Sequence, residues 1–174
     1  MKKLFAVIIV LLLLVTAAVL VYPKLVDRYR PEPPVAINGT AADFTMTDGE
    51  GSARTLSSFY AGKPLVVNFW ATWCGYCVYE LPDFETAAKT YQDVDFILVN
   101  EGEDPAKALS FLNDNGITIP SYYDQTGSGD RAYNITGIPV TLFIDRHGDL
   151  YYHQVGMLTA DSLNSLIEQV RNVK

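Results

Sequence analysis

The alternation of apolar and polar positions divides the chain into an apolar leader and a part in which short strands alternate with amphipathic helices. Residues 4–22 form an apolar run in which Thr16 is the only mildly polar residue. About 19 residues at about 1.5 Å each give roughly 28 Å of helix, which is close to the hydrocarbon thickness of a bilayer. A helix in a soluble core would show a polar face, and this run shows none. The pattern therefore predicts a transmembrane helix over residues 1–22.

Two interpretations of this leader stay open, a retained anchor and a cleaved signal peptide. Signal sequences have shorter apolar cores, and no small-x-small cleavage site follows this one, so the pattern favours the anchor. Lys2 and Lys3 predict a cytoplasmic N-terminus and an outward-facing remainder. That orientation is weakened by three basic residues beyond the run, Lys24, Arg28 and Arg30.

A proline-rich linker over residues 23–34 follows, either as a stiff extended spacer or as a disordered segment. Residues 35–174 are predicted to form one domain. In its first half, the pattern predicts a hairpin over 35–55, a helical turn over 56–60, a buried strand ending near 70, a helix from near Cys74 toward Tyr91 and a strand over 95–100. A helix from Pro105 to Gly116, an extended segment over 117–123, a polar turn over 124–130 and a short helix over 131–134 follow. The stretch 135–145 contains Ile138-Pro139 and then a strand, which a turn joins to a strand over 150–155, and a closing helix covers 161–170.

Further features of this pattern concern packing and topology. The segment 117–123 contains Pro120 and is expected at a sheet edge. Pro82 lies inside the first long helix, which it should kink. Two helices show apolar faces, Ala106, Leu109, Phe111 and Leu112 in the helix after Pro105 and Leu163, Leu166, Ile167 and Val170 in the last. The order of elements predicts an α/β fold with a central mixed sheet flanked by helices.

Composition narrows the function classes. About half of the 174 residues are apolar, which suffices for a full core without disulfide staples. The net charge of −7 argues against nucleic-acid binding, which needs a basic face. The chain has two cysteines, and both lie in one motif, so no structural disulfide is predicted.

The cysteine motif, Cys74 and Cys77, follows the apolar run Leu65-Val66-Val67 and begins a pattern with helical spacing. A strand that turns into a helix places unpaired N–H groups and the positive end of the helix dipole at the first sulfur. Both features stabilise a thiolate, which is the nucleophile of disulfide exchange. Cys74 is therefore predicted to be exposed and to attack. Cys77, one turn deeper, is predicted to be shielded and to resolve the mixed disulfide.

A zinc site is the alternative for the same pair. Zinc needs four ligands with nitrogen or sulfur donors, and the chain has no second cysteine pair. His147 falls in a predicted turn and His153 in a predicted strand, both far along the chain. The ligand count argues against a metal, and the histidines are expected to be a solvated turn residue and a sheet residue.

The stretch from Asn68 to Cys77, which reads as a strand, Trp-Cys-x-x-Cys and a helix start, resembles the thioredoxin superfamily. Two residues narrow the resemblance to the extracytoplasmic branch typified by ResA and TlpA: Glu80, three residues after Cys77, and Asn68, where cytoplasmic thioredoxins usually carry an acid. The resemblance covers roughly residues 35–172. It implies a thioredoxin-like fold with an N-terminal β-hairpin and a central βα insert. Tyr76 departs from the family pattern, because proline is frequent at this position in the family. The resemblance therefore leaves the reduction potential of the cysteine pair open.

The resemblance assigns roles to further residues. Glu80 is expected to carry the proton of Cys77, whereas the residue pattern alone favours a solvated surface glutamate. The pair Ile138-Pro139 resembles the cis-proline loop of thioredoxin-like folds, although trans bonds are far commoner in general. This loop is expected to place the Ile138 backbone beside Cys74, where it can pair with an extended substrate segment.

Aromatic residues complete the expected site. Trp73 is expected to shield the attacking sulfur and to offer an apolar contact surface, and Trp70 to lie in the core. The substrate-binding residues implied by the resemblance are Trp73, Gly75, Tyr76, Ile138 and Pro139.

The expected function is a membrane-anchored, outward-facing thiol-disulfide oxidoreductase that uses its cysteine pair and needs no metal or other cofactor. The resemblance implies reduction of disulfides in exported proteins, with an apocytochrome c as client and a membrane thiol carrier as electron donor. Two alternatives stay open. An oxidase or isomerase would have a reduction potential well above that of thioredoxin, roughly −270 mV. A metal-handling module of the same fold would hold a stoichiometric ion.

Overall fold

The structure is a computed structural model, and it describes residues 15–16, 19, 21, 39–60 and 62–173. Residues 15, 16, 19 and 21 are helical, and none of the helices in the described ranges combines the length and apolar character that a membrane crossing requires. The anchor expected over 1–22 and the linker over 23–34 lie almost wholly outside these ranges, so both stay predictions. The elements described below belong to the compact unit Val35–Lys174.

The described part of this unit contains seven strands and four α-helices. In chain order they are β1 (Thr45–Thr47), β2 (Ala53–Thr55), β3 (Leu65–Trp70), α1 (Gly75–Thr90), β4 (Asp95–Glu101), α2 (Pro105–Asp114), β5 (Ser121–Asp124), α3 (Ser128–Tyr133), β6 (Val140–Ile144), β7 (Leu150–Val155) and α4 (Ala160–Arg171), with a 3-10 turn at Leu56–Phe59. The strands and helices that the hydrophobic pattern predicts after residue 39 are present, although α3 begins at Ser128, inside the predicted polar turn 124–130, and β6 begins only at Val140.

The seven strands form one mixed sheet in the order β2-β1-β5-β4-β3-β6-β7. Strand β3 pairs in parallel with β4 and antiparallel with β6, so it lies inside the sheet. Every residue of β3 is buried. A strand covered on both faces needs a continuous apolar run, and β3 supplies one that is interrupted only by Asn68.

Two apolar layers cover the two faces of the sheet. Val66 and Trp70 of β3 pack in one layer with residues of α1, α2 and α4, and Val67 and Phe69 pack in the other with residues of β1 and α3. Trp70 is thus a core residue, as the sequence predicts. Because side chains alternate along a strand, Asn68 shares the face of Val66 and Trp70 and points toward the layer that contains α1.

The predicted edge position of segment 117–123 is wrong. Strand β5 pairs with β4 on one side and with β1 on the other, so it lies inside the sheet. Pro120 does not prevent this pairing, because it precedes β5 and takes part only through its carbonyl oxygen, which accepts a hydrogen bond from the Leu98 N–H at 2.9 Å. A proline in that position needs no N–H of its own.

The predicted apolar face of α2 is only partly correct. Ala108 and Leu112 are buried and Phe111 is half-buried, whereas Ala106 and Leu109 are exposed. Helix α2 contacts the core through a stripe that is narrower than its set of apolar residues. The reason is that only residues one turn apart, such as Ala108 and Leu112, face the core together. The predicted face of α4 is confirmed, with Leu163, Leu166, Ile167 and Val170 buried. Pro82 lies within α1.

Candidate active site

A disulfide joins Cys74 to Cys77 where β3 ends and α1 begins. Cys74 is the N-cap residue of α1, and its sulfur accepts a hydrogen bond from the Cys77 backbone N–H at 3.2 Å. The preceding turn is closed by the Cys74 N–H, which donates to the Ala71 carbonyl at 3.2 Å. The predicted position of the pair at a helix N-terminus is confirmed. The Cys77 N–H of this helix can donate a hydrogen bond to a Cys74 thiolate.

The two sulfurs differ less in exposure than the sequence predicts. Cys77 is fully buried, but Cys74 is only 7% exposed, so the prediction of an exposed Cys74 is wrong for this disulfide-bonded state. The bond to Cys77 covers part of the Cys74 sulfur, and the Ile138 carbonyl oxygen lies 3.6 Å from it. Of the two cysteines, Cys74 alone keeps surface that a substrate can reach, which supports the predicted order of attack and resolution.

Aromatic residues with exposed rings lie close to the two cysteines in the chain. Trp73 is 67% exposed and Tyr76 is 69% exposed, so both present their rings to solvent. Tyr79, which was not among the expected contact residues, is equally open and lies one turn after Tyr76 on the same face of α1. Its spacing from Tyr76 is the signal that identifies it. The substrate contacts expected of Trp73, Gly75, Tyr76, Ile138 and Pro139 stay predictions.

The Ile138–Pro139 peptide bond is cis, which confirms the loop conformation implied by the resemblance. Strand β6 begins at the next residue, Val140, which pairs with Phe69 near the end of β3. Since the chain passes from β3 directly into the redox motif, this register brings Ile138 alongside Cys74. Pairing of Ile138 with an extended substrate is geometrically possible from this position and stays a prediction.

Glu80 is fully buried, which excludes the solvated glutamate that the residue pattern alone favours. It lies three residues after Cys77 on the same face of α1. Its Oε1 accepts a hydrogen bond from Asn68 Nδ2 at 2.8 Å, and its Oε2 accepts one from the Leu158 N–H at 2.8 Å. Asn68 Nδ2 also donates to Thr141 Oγ1 at 3.1 Å, so strands β3 and β6 orient the amide that holds the carboxyl group.

This environment places the titration of Glu80 near neutrality. Burial raises the pKa of Glu80 from its ordinary value of 4.5 to about 7, against the lowering effect of the hydrogen bonds from Leu158 and Asn68. A general acid or base works best when its pKa lies near the working pH. Glu80 therefore has the position and the pKa that a proton carrier for Cys77 requires.

A cleft of about 400 Å³ opens beside the disulfide and is bounded by Trp73 and Ile138. Its lining includes three carboxyl groups, those of Glu101, Asp124 and Asp130, and no basic side chain. Burial and the neighbouring Asp130 raise the pKa of Glu101. The sequence pattern does not identify this group, because its members lie far apart in the chain and meet only at the ends of β4 and β5 and in α3. Only an ionised carboxyl group opposes the stabilisation that the helix N-terminus gives to a thiolate, and the raised pKa keeps Glu101 in the neutral form near pH 7.

The histidines lie in the elements that the pattern predicts, His147 in the turn before β7 and His153 in β7. His153 packs edge-on against Tyr133, with ring centroids 6.2 Å apart, and burial lowers its pKa. Within the described ranges, the structure shows no group of three or more His, Cys, Asp or Glu side chains that could hold a metal ion.

Several known proteins are similar to this chain in sequence and in fold. A family model described as Redoxin matches residues 36–168. A protein named thiol-disulfide oxidoreductase ResA, from Geobacillus kaustophilus (strain HTA426), is 32% identical over 162 residues, which cover 92% of this chain and 92% of that protein.

Two solved structures are similar at comparable identity. The thiol:disulfide interchange protein of the thioredoxin family from Chlorobium tepidum TLS has a TM-score of 0.68 and 27% identity, covering 79% of this chain and 99% of its own. StoA from Bacillus subtilis has a TM-score of 0.61 and 25% identity, covering 72% and 96%. The thioredoxin-like α/β fold implied by the resemblance is confirmed.

Proposed function

The chain belongs to the Redoxin family and is a thiol-disulfide oxidoreductase of the ResA/TlpA type, and from this premise we propose that it reduces disulfides in exported proteins on the outer side of a cell membrane. The proposed client is an apocytochrome c, whose Cys-x-x-Cys-His segment needs both thiols reduced for haem attachment. A membrane thiol carrier is proposed as the source of electrons.

The proposed reaction consists of two exchange steps. The Cys74 thiolate attacks one sulfur of the client disulfide, forms a mixed disulfide and releases the other client sulfur as a thiolate. Ionised Glu80 then takes the proton of the Cys77 thiol, and the Cys77 thiolate attacks the Cys74 sulfur. The client leaves with two reduced sulfurs and the protein keeps the Cys74–Cys77 disulfide, to which the thiol carrier must return two electrons.

The observation that supports reduction, rather than oxidation, of client disulfides is the presence of carboxyl groups near Cys74 and Cys77. Glu80 lies one turn after Cys77, and the cleft beside Trp73 is lined by carboxyl groups without a basic side chain. Carboxyl groups stabilise a thiolate less than neighbouring cations do. A strong disulfide oxidant owes its potential to a stabilised reduced form. The cleft beside Trp73 supplies no cation to the Cys74 thiolate beyond the N-terminus of α1, which supports a reductant.

The proposed location follows from the apolar run over residues 4–22 and the two lysines before it. The match to ResA from Geobacillus kaustophilus covers 92% of the chain. This share exceeds the unit Val35–Lys174, so the similarity extends into the first 34 residues.

The proposed client and the proposed location can be tested together. The test uses a bacterial host that lacks its own outward-facing thiol reductant for cytochrome c assembly. The full chain should restore covalent haem attachment, measured by haem staining. The Cys74→Ser variant should not, because it cannot form the thiolate, and a chain without residues 1–22 should not, because it stays in the cytoplasm. Equal haem attachment with the full chain and with Cys74→Ser contradicts the client, and restoration by the shortened chain contradicts the location.

A further inference from the structure

We propose that Glu103 is a positioning residue of the redox site, because its carboxylate holds the turn that carries Trp73 and Cys74. The proposal requires thiol-disulfide exchange, which family membership establishes, and depends on neither the reductive direction nor the client. Glu103 follows β4 and lies 31 residues from its main partner, Thr72, along the chain. Nothing in the residue pattern connects the two.

The carboxylate of Glu103 is buried, and both polar groups of Thr72 donate to it. The Thr72 backbone N–H donates to Oε2 at 2.7 Å, and the Thr72 hydroxyl donates to Oε1 at 2.5 Å. Asn100 Nδ2 adds a third hydrogen bond, to Oε2 at 2.9 Å. Thr72 is therefore fixed through its main chain and its side chain at once.

Glu103 is itself tied to the centre of the sheet. Its backbone N–H donates to Asn100 Oδ1 at 3.2 Å, and its carbonyl accepts from Gln125 Nε2 at 2.6 Å. Asn100 belongs to β4 and pairs with Trp70, the last residue of β3. The carboxylate thus connects a rigid strand end to the turn that leads into α1.

The hydrogen bonds from Thr72 to the carboxylate, called the Glu103 clamp from here on, depend on the negative charge of Glu103. Burial raises the pKa of Glu103, but hydrogen bonds from Asn100, Lys107 and Thr72 outweigh burial and lower the pKa to about 2. The Lys107 Nζ lies 2.7 Å from Oε1. Hydrogen bonds to an ionised acceptor are shorter and stronger than neutral ones. An amide of the same size offers one acceptor oxygen and turns an NH₂ group toward the remaining donors, so it cannot replace the carboxylate.

The held turn sets the position of the attacking sulfur. Thr72 stands two residues before Cys74, in the turn closed by the hydrogen bond from the Cys74 N–H to the Ala71 carbonyl. With Thr72 fixed, the Cys74 sulfur lies 3.2 Å from the Cys77 nitrogen and 3.6 Å from the Ile138 carbonyl oxygen. A displacement of about 1 Å can cost about 100-fold in rate, so loosening this turn should slow the attack by Cys74.

The chain provides a matched control in Glu85. This buried carboxylate accepts the Thr118 N–H at 2.7 Å and the Thr118 hydroxyl at 2.6 Å, and it pairs with Lys89 four residues later at 2.9 Å. Glu103 makes the same set of contacts with a threonine and with the lysine four residues later. None of the residues in the Glu85 clamp lines the cleft beside the disulfide or adjoins a cysteine in the chain.

The test compares Glu103→Gln with Glu85→Gln in the full chain, each combined with Cys77→Ala so that the mixed disulfide accumulates. The probe is glutathione disulfide, and the rate of adduct formation at Cys74 is followed by quenched mass spectrometry across pH. Glu103→Gln should slow the reaction by at least about tenfold, since it releases the turn, and Glu85→Gln should leave the rate unchanged. Circular dichroism establishes that both variants are folded.

A second pair of variants tests the proposal if Glu103→Gln does not fold. Thr72→Ser keeps both donors and should react at the parent rate, whereas Thr72→Val loses the hydroxyl donor and should react more slowly. The proposal is overturned by equal slowing in the two glutamine variants, by an unchanged rate in Glu103→Gln, or by equal rates in the two Thr72 variants. Glutathione disulfide needs no protein client, so these outcomes are independent of the haem-attachment test.

Discussion

Replacing Cys77 with alanine should convert the protein from a turnover enzyme into a trap that stays covalently joined to its substrate. Cys74 still attacks the substrate disulfide, but the second thiolate that would release the adduct is missing. Replacing Cys74 with serine should abolish both exchange and trapping, because the thiolate is the nucleophile of disulfide exchange. Turnover should fall to the uncatalysed background in both variants. A non-reducing gel should show an adduct with Cys77→Ala and none with Cys74→Ser.

This experiment also settles the roles of two sulfurs that differ little in exposure, because Cys74 is only 7% exposed in the disulfide-bonded state and Cys77 is fully buried. An adduct that forms in Cys74→Ser at the rate seen in Cys77→Ala would assign the attack to Cys77. The N-cap position of Cys74 would then have no catalytic meaning.

Glu80→Gln should slow the resolution of the mixed disulfide by about 100-fold or more at neutral pH, the range over which a general base contributes. The amide cannot take the proton of Cys77, whose side chain has no access to bulk water. The loss should be greatest near pH 7 and should diminish in alkali, where hydroxide removes the proton directly. The measurement is the rate at which the released thiol appears after the reduced protein is mixed with a disulfide. Glu85→Gln, a buried carboxylate on the same helix, serves as the control.

Glu80→Gln should also change how the free energy of unfolding depends on pH, which is measured without any exchange kinetics. The pKa of Glu80 rises from 4.5 to about 7 on folding, so the folded state binds more protons than the unfolded state between these values. The stabilisation is complete below pH 4.5 and is lost as the pH rises to about 7, with a total change of about 3 kcal/mol. Glutamine does not titrate, so denaturant unfolding of wild type and Glu80→Gln should give curves that diverge across this window. Unfolding free energies of the two proteins that run parallel across this pH window would contradict the role of Glu80 as the proton carrier. The same holds if Glu80→Gln resolves the mixed disulfide with the pH profile of the wild type.

The part of the site that follows from local chemistry could be predicted from the sequence. The spacing of Cys74 and Cys77 between an apolar run and an amphipathic pattern was enough to place them at a helix start. The cis bond at Ile138-Pro139 could not be obtained in this way, because its only local signal is a proline and most such bonds are trans. A resemblance to a known family supplied it, and the structure confirms it.

The part that depends on remote contacts could not be read from the pattern. A buried glutamate and a solvated one look alike in sequence, so the role of Glu80 needed the resemblance, and its burial became visible only with the contacts to Asn68 and Leu158. Glu103 carried no signal, since its partner lies 31 residues away. Pro120 gave a misleading signal, because a proline one residue before a strand leaves that strand free to pair on both sides.

The reduction potential of the Cys74–Cys77 pair tests most directly whether this site works as a reductant. It can be measured by equilibrating the protein with a redox buffer of known potential and quantifying the disulfide by alkylation. Carboxyl groups around the pair predict a value at or below that of thioredoxin, about −270 mV. A value near about −120 mV, typical of a strong disulfide oxidant, would contradict the reductive direction.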